Sequence, residues 1–564
     1  MTTATETATH NVDPTPPSTT TAKDELTVVN APKGPQYITG AKMWFLNMSL
    51  SLICFLILLD LSILSTAIPK ITGQFHSLPD VGWYSGAYQL ANAALQPLTG
   101  KLYTHLRTKD IFLTHLFLFE IGSLLSGLAR TSAMLIIGRA VSGLGGAGLM
   151  NGAMTIIAAA SPLDKRALYT GVLLGFGQIG LVTGPLIGGA LTEHVSWRWC
   201  FYINLPIGGL AAVVIWFVSV PDGNAGIVYT VRLFREIIPL LDLPGFVIFA
   251  PACIMLLLAL QFGGVSHPWE SATVVGLFVG AGVAAFGFIL WEMRVGEKAM
   301  IPGVLLRHRI MLASVAHTIA LGVVVIVGSL WMPVYFQAVK GASPTESGVD
   351  TLPSVLGQVV LIIVSGVAVS KLGYYLPWAT TAGLLSAIGA GLMSTMTSTT
   401  PTAKWVGYTL IFGAGRGAGM QMSMLASQAS LPPRLIPVAL AFLIFVQNLA
   451  GAIFNIVANT VFTQTLVKKL AVYAPSVSPK AALDAGASAG DVRALVRGDE
   501  RVLEGVLRAY SEALRGVWLM IVGFGCVCFL VSFGMGWIDV RKKEEEKKGG
   551  DGVVVSGMHE KEEA

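Results

Sequence analysis

Four ionisable side chains lie inside long apolar segments of the chain, where a charge is costly enough to suggest chemistry. They are Asp60, Glu120, Arg139 and Arg416. A charge at the centre of a membrane costs about 2.5–3.5 kcal/mol on insertion scales, so such a residue is a candidate for function. Burial raises the pKa of a carboxyl group, and a nearby cation lowers it. A carboxyl group that alternates between these environments can carry a proton across a membrane.

The charge of each side chain suggests its role in proton transfer, and polar residues in the same apolar segments are candidates for substrate binding. Asp60 and Glu120 are the candidate proton carriers, and Arg139 is the candidate cation. A static buried ion pair or a helix-packing device remains the alternative. Candidate substrate contacts are Gln89, Asn92, Gln178, Arg416, Gln421, Gln447 and Asn448. For the polar residues among them, hydrogen bonding between helices is the alternative.

The chain lacks the sequence patterns of an enzyme or of an ATP-driven pump. It has no histidine cluster, no nucleophile beside a base and no Gly-x-x-x-x-Gly-Lys-Ser/Thr loop for phosphate. The five cysteines show no metal-ligand spacing, so we expect neither a bound metal nor a structural disulfide. The net charge of +5 comes from basic residues spread over short loops, which argues against a nucleic-acid partner.

The composition is that of a protein embedded in a lipid bilayer. Hydrophobic residues make up 53% and charged residues 12% of the chain, whereas soluble domains carry about 25% charged residues. A helix needs about 20 apolar residues to cross the hydrocarbon core. We therefore predict an all-α membrane protein with fourteen transmembrane helices. They begin near residues 43, 82, 111, 133, 168, 200, 241, 272, 311, 348, 376, 404, 435 and 514.

The distribution of basic residues predicts the orientation. An even number of spans puts both chain ends on the same side of the membrane. Lys and Arg are concentrated in the short loops on that side, among them Arg107, Lys109, Lys165 and Arg166. Because positively charged loops stay in the cytoplasm, we expect both termini to be cytoplasmic.

Two parts of the sequence resemble each other. The second predicted helix ends in the segment 100–107 and the tenth in the segment 366–373, and each segment begins with glycine. Gly143-x-Gly145 in the fourth helix has a counterpart, Gly413-x-Gly415, in the twelfth. Helices one to six would then match helices nine to fourteen. Such repeats are common in transporters, which place the substrate site between the two halves.

The fifth predicted helix carries glycine and proline in a pattern typical of close backbone packing. It reads Gly180-x-x-x-Gly184-Pro185-x-x-Gly188-Gly189. Small residues let membrane helices approach each other closely, and proline bends a helix.

Four further passages complete a family resemblance. They are Leu59 to Pro69, which contains Asp60; Arg139-x-x-x-Gly143-x-x-x-Ala147; Trp197 to Gly209; and Pro333 to Gly348. With these motifs in this order, the chain resembles the fourteen-helix drug:proton antiporter branch of the major facilitator superfamily, particularly its fungal members. The resemblance covers about residues 43–540.

The resemblance implies both a fold and a function. The expected fold is the major facilitator fold, with two six-helix bundles and two intervening helices. The expected function is proton-coupled export of amphipathic small molecules such as toxins, secondary metabolites or drugs. The energy source is the proton gradient, without a cofactor, and we expect a monomer in the plasma membrane. The resemblance also supports Arg139 in proton coupling.

The fifth-helix pattern matches the antiporter motif of the family. We expect Gly184 and Pro185 to bend this helix, and Gly188 and Gly189 to pack tightly against the facing half. The helix would then seal the outer half of the path. One departure is Thr104, which stands where the family usually has an acidic residue that locks one conformation. The chain must therefore hold that conformation differently or more weakly.

The predicted organisation has five parts. They are a disordered cytoplasmic tail at 1–42, a six-helix bundle at 43–220, a linker with two helices at 221–300, a second bundle at 301–540 with a large outer loop at 467–511, and a cytoplasmic tail at 541–564. Two alternatives keep the fold. One is a vacuolar or plasma-membrane transporter of amino acids or iron chelates, and the other is a receptor that does not transport.

Overall fold

The structure is a computed structural model that describes residues 37–75, 80–218, 220–221, 237–263, 267–486, 489–496 and 499–542. Within these ranges the regular secondary structure is helical, apart from two isolated bridges. The predicted tails at 1–42 and 541–564 lie mostly outside the described residues, as does the segment 222–236 of the linker.

Long helices occupy all fourteen predicted segments. They are α1 (Ala41–Phe75), α2 (Val81–His105), α3 (Thr108–Gly127), α4 (Ser132–Ala160), α5 (Leu163–His194), α6 (Asn204–Phe217), α7 (Leu243–Phe262), α8 (Ala272–Val295), α9 (Arg309–Val334), α10 (Pro344–Leu372), α11 (Leu376–Met393), α12 (Thr402–Gly419), α13 (Ile436–Tyr473) and α14 (Glu500–Ser532). The all-α prediction is confirmed.

Length and composition support twelve of these helices as membrane spans within the described residues. The two long helices outside that set are α2 and α12. Both carry polar side chains within their apolar sequence, such as Gln89 and Gln96 in α2 and Arg416 in α12. The prediction of fourteen helices is met, but composition alone does not establish α2 and α12 as spans.

The two halves repeat the same glycine contacts, as the sequence repeat predicts. A Cβ atom added to Gly143 of α4 would overlap the Tyr88 carbonyl of α2, and one added to Gly413 of α12 would overlap the Ser354 carbonyl of α10. The same number of residues separates Tyr88 from Ser354 as separates Gly100 from Gly366. Each half therefore packs its fourth helix against its second helix at the same register.

A side-chain hydrogen bond is repeated in the same way. Asn151 Nδ2 donates to Thr99 Oγ1 at 3.0 Å, and Gln421 Nε2 reaches Ser365 Oγ at 3.4 Å. Each hydroxyl residue directly precedes one of the repeated glycines, Gly100 or Gly366.

Both described chain ends lie at the same end of the helical bundle, which we call the terminal end. Ile38 N donates to Ala160 O at 2.9 Å, so the start of α1 meets the end of α4. Val540 N donates to Gly373 O at 2.9 Å, so the chain after α14 meets the end of α10. This is the arrangement that an even number of spans requires.

The two halves meet near the terminal end at two equivalent places. A Cβ atom at Gly100 would lie 2.8 Å from Val438 Cα, where α2 meets α13. A Cβ atom at Gly366 would lie 2.6 Å from Ala167 O, where α10 meets α5. Because Gly100 and Gly366 are partners in the sequence repeat, one kind of backbone contact closes both sides of this end.

The predicted outer loop is largely helical. Helix α13 continues to Tyr473, and two short helices, Pro479–Ala485 and Ala489–Ala494, precede α14. Tyr510 Oη donates to Ala482 O at 2.8 Å, which ties the loop to α14.

A buried ion pair as the candidate functional site

Asp60 and Arg139 form an ion pair inside the first half. Arg139 Nη1 donates to Asp60 Oδ2 at 2.6 Å, and the side chains are 1% and 0% exposed respectively. The pair joins α1, which carries Asp60, to α4, which carries Arg139. Bonds between charged groups are strong, but taking both charges out of water is costly.

The rest of the Arg139 guanidinium is held by α2. Its Nε donates to Tyr84 O at 2.9 Å, and its Cζ lies 4.8 Å from the centre of the Tyr88 ring. Its Nη2 has no hydrogen-bond partner among the described residues. Arg139 therefore keeps fixed contacts to α2 that do not depend on Asp60.

Asn204 completes the polar cluster, and sequence reasoning assigned it no role. Its Nδ2 donates to Asp60 Oδ1 at 3.3 Å and to Ser123 Oγ at 3.1 Å, which links α1 and α3 through the first residue of α6. The available signal was an amide at the start of an apolar helix. Only packing reveals that this amide reaches Asp60.

Glu120 lies on α3 one turn from Ser123. Both of its carboxyl oxygens are buried and have no hydrogen-bond partner among the described residues. Gly208 of α6 makes room for it, because a Cβ atom at that position would overlap Glu120 Oε1. Asp60 and Glu120 are thus two carboxyl groups with buried oxygens in the first half, and Arg139 forms its described ion pair with Asp60. A second carboxylate charge here would have no hydrogen-bond partner among the described residues, which makes it costly.

The glycines of α5 face a different neighbour from the one that the sequence analysis predicted. A Cβ atom at Gly184 would overlap Ser62 Oγ, and one at Gly188 would lie 2.6 Å from Ile63 O. Ser62 and Ile63 belong to α1 of the same half. A Cβ atom at Gly189 would have no neighbour within 4 Å among the described residues. The prediction that Gly188 and Gly189 pack against the facing half is therefore wrong.

Other residues of α5 make the contact with the facing half. A Cβ atom at Gly171 would lie 3.0 Å from Ile362 O, and one at Gly175 would lie 3.7 Å from Ile363 Cγ1, both on α10. Successive residues of a helix are rotated by about 100°, so neighbouring glycines face different partners. Gly180, which borders Phe55 O, belongs to the set that faces α1.

The candidate substrate contacts do not lie in one described cavity. Gln89 and Asn448 are exposed, Asn92 and Gln447 are partly buried, and Gln178, Arg416 and Gln421 are buried. Gln421 is occupied, because its Nε2 donates to Ile362 O at 3.1 Å. Gln447 lines a space of about 10 Å³ together with Thr318 and Met420, which is too small for a substrate.

The amino-acid sequence is similar to those of known transporters. The sequence model described as Major Facilitator Superfamily matches residues 50–455. A protein named MFS-type transporter calB from Penicillium decumbens is 52% identical over 91% of each chain. Efflux pump mlcE from Penicillium citrinum is 46% identical over 91% of this chain and 93% of its own. Efflux pump aflT from Aspergillus parasiticus is 38% identical over 92% of this chain and 100% of its own.

Two solved structures share the fold. The proton:xylose symporter XylE covers 86% of this chain and 94% of its own, with a TM-score of 0.53 and 14% identity. The human organic anion transporter MFSD10 covers 86% of this chain and 100% of its own, with a TM-score of 0.53 and 12% identity. At such low identity these similarities establish the fold alone.

Proposed function

Because the chain belongs to the major facilitator superfamily, we propose that it is a secondary transporter that exports amphipathic small molecules in exchange for protons. It is a multi-pass membrane transporter and not an enzyme, and relatives of high identity are named efflux pumps. The observation that carries proton coupling is the buried pair of Asp60 and Arg139. A transported proton needs a site of this kind, where a carboxyl group can gain and lose its partner.

In the proposed cycle, protonation of Asp60 breaks its ion pair with Arg139. Arg139 remains bound to Tyr84 O, so the neutral Asp60 side chain becomes free to move with α1. Asn204 bridges Asp60 to Ser123, and Glu120 lies one turn further along α3. A proton that leaves Asp60 thus has a second carboxyl group close by in the same half. Alternation between the paired and the protonated state couples proton entry to the movement of the two halves.

The contacts between the halves suggest which conformation the structure represents. The halves touch at Gly100 and Gly366 near the terminal end, while Gly184 and Gly188 of α5 face α1 of their own half. With the termini in the cytoplasm, this is a state closed toward the cytoplasm. We propose that export proceeds when these contacts separate to admit substrate and then re-form behind it.

The proposed function is tested with the purified protein in liposomes that carry a pH gradient. A panel of amphipathic compounds should accumulate only when the gradient is present, and collapse of the gradient with an ionophore should abolish accumulation. Deletion of the gene should raise the intracellular level of at least one compound of the same panel. Gradient-independent flux would refute proton coupling, and no flux of any compound together with an unchanged deletion strain would refute export.

Replacement of Glu120 with glutamine should separate stability from coupling. Glutamine cannot ionise, so the variant avoids the cost of a buried carboxylate charge without a partner, and the thermal unfolding temperature should rise at a pH where Glu120 is ionised. The pH-driven rate should fall, because one protonatable group is lost. Both quantities are measured on the same purified protein. A lower unfolding temperature with an unchanged rate would show that Glu120 is only a packing residue.

Replacement of Gly366 with alanine should open the terminal end. The new Cβ atom would lie 2.6 Å from Ala167 O, and overpacking of this kind costs about 1–3 kcal/mol. The readout is disulfide formation between cysteines placed at Thr104 and Arg434, where Thr104 Oγ1 reaches Arg434 O at 3.5 Å, in a Cys526→Ser background. The Gly366→Ala variant should form less of this disulfide.

Gly348→Ala is the matched control on the same helix, because a Cβ atom there would have no neighbour within 4 Å. This control should cross-link like the unmodified protein. Equal cross-linking in the Gly366→Ala variant would contradict the assignment of Gly366 to the closure.

The location and the assembly state follow from the same proposal. An exporter of compounds to the exterior belongs in the plasma membrane with both termini in the cytoplasm, and as a monomer it needs no second chain. A fluorescent fusion at the C-terminus should label the cell periphery, and labelling of the vacuolar membrane would favour storage over export.

A further inference from the structure

Arg416 is a buried cation that has no counter-charge in the described part of the chain. The residue is 2% exposed, and the ion pairs among the described residues do not include it. Its hydrogen bonds go to neutral oxygens. Nη1 donates to Ser329 Oγ at 2.8 Å, and Nη2 donates to Ser354 Oγ at 2.7 Å.

Comparison with Arg139 shows what is missing at Arg416. Arg139 is equally buried, but Asp60 neutralises it at 2.6 Å. Hydroxyl groups satisfy part of the donor capacity of Arg416, yet its Nε has no acceptor among the described residues. A buried charge without a counter-charge is costly, and such a residue within a membrane helix is a candidate for function.

Arg416 lies at a junction of helices and close to a helix end. Three helices of the second half meet there, since Ser329 lies on α9, Ser354 on α10 and Arg416 on α12. Ser329 is only partly buried, which leaves one side of the cluster accessible. Helix α12 ends three residues later at Gly419, and interrupted helices commonly form substrate sites in transporters.

We propose that Arg416 binds a carboxylate group of the exported molecule, so that amphipathic organic acids are the preferred substrates. Arginine can hold a carboxylate through two parallel N–H donors, and its Nε is still without an acceptor. The Phe412 ring, 4.9 Å from the Arg416 Cζ, keeps the guanidinium in place. This inference rests on the proposed export function and specifies the charge of its substrate.

The test compares acids with their amides, which differ in charge but hardly in shape. The purified protein in lipid nanodiscs is titrated with dansyl-leucine and dansyl-leucinamide, and binding is followed by dansyl fluorescence. The unmodified protein should bind the acid about tenfold more tightly or better, as expected for a charge-assisted hydrogen bond. Arg416→Gln should bind both compounds equally, with the amide affinity unchanged.

Two further variants make the test specific. Arg416→Lys keeps the positive charge but loses the planar pair of N–H donors, so it should retain part of the preference for the acid. If Arg416→Gln does not fold, Arg416→Lys replaces it in the binding experiment. Lys404→Gln removes an exposed positive charge from the same helix α12 and should retain the full preference.

The outcomes separate this inference from the proposed function. Equal binding of acid and amide by the unmodified protein, no binding of dansyl-leucine, or an undiminished preference in Arg416→Gln would overturn the role of Arg416. Export of neutral compounds in the liposome assay would survive each of these results. Loss of all gradient-driven export would instead refute the proposed function.

Discussion

Replacement of Asp60 with asparagine is expected to abolish pH-driven export and to leave substrate exchange intact. Asparagine keeps the shape and one acceptor oxygen toward Arg139 Nη1, but it cannot bind and release a proton. Accumulation in liposomes with a pH step should therefore fall to the background leak. Exchange of labelled for unlabelled substrate across the same liposomes, without a pH step, should continue, since it requires only the movement of the two halves.

Replacement of Arg139 is expected to lower the stability of the fold. Arg139→Gln leaves the fully buried Asp60 carboxylate without its cation, and removal of one partner of a buried pair costs about 3–5 kcal/mol. Thermal unfolding of the purified protein should show this loss. The double variant Asp60→Asn with Arg139→Gln should be more stable than Arg139→Gln alone, because it removes the unpaired charge.

Glu193→Gln is the matched control for Asp60→Asn. Glu193 is an exposed carboxyl group near the end of α5, so its loss should change neither stability nor pH-driven export. Gradient-driven accumulation at the normal rate in Asp60→Asn would exclude Asp60 as the coupling group and leave the ion pair as a static packing device.

Two glycines of the same motif, Gly184 and Gly189, are expected to respond in opposite ways to alanine. At Gly184 the new Cβ atom would overlap Ser62 Oγ and lie 3.0 Å from Ile63 N, which belongs to the α1 backbone. The free energy of unfolding should fall by about 1–3 kcal/mol. At Gly189 the Cβ atom would have no neighbour within 4 Å. There alanine should be neutral or raise the stability by about 0.5–1 kcal/mol, because glycine weakens a helix.

The larger substitution Gly184→Leu should abolish export. Ser62 Oγ lies between the two helices and reaches Gly180 O at 3.4 Å, so a leucine would force α1 and α5 apart. Asp60 lies two residues before Ser62, and its position against Arg139 would change with α1. Efflux assays and the amount of folded protein at the membrane should be measured together. Equal effects of alanine at Gly184 and Gly189 would show that the packing of α5 against α1 does not matter.

Thr104, which stands where the family usually has an acidic residue, contacts the other half without a charge. Thr104 Oγ1 donates to Gly100 O at 2.8 Å and reaches Arg434 O of the other half at 3.5 Å. Close backbone packing at Gly100 and Gly366 supplies further contacts at this end. Uncharged contacts therefore link the halves where the family pattern would place a charge. Gly100 and Gly366 contact the other half, whereas Gly184 and Gly188 contact α1 of their own half.

The sequence by itself determined where the helices lie and which ionisable residues lie inside apolar segments. Long apolar segments can only be helices in lipid, since every backbone group must be paired within the segment. For the same reason Asp60, Arg139 and Arg416 could be recognised as candidates without any structure, because the cost of a buried charge depends on its local surroundings. The repeat was also readable, because glycine positions record where backbones come close.

Only the tertiary structure decided which neighbour each of these residues faces. A rotation of about 100° per residue turns Gly188 toward Ile63 and Gly189 toward open space, although the two are adjacent in sequence. The same geometry brings Asn204 to Asp60 and leaves Arg416 with uncharged partners among the described residues. These partners come from helices far apart in the chain. Their choice depends on how all the helices pack at once, which no local pattern records.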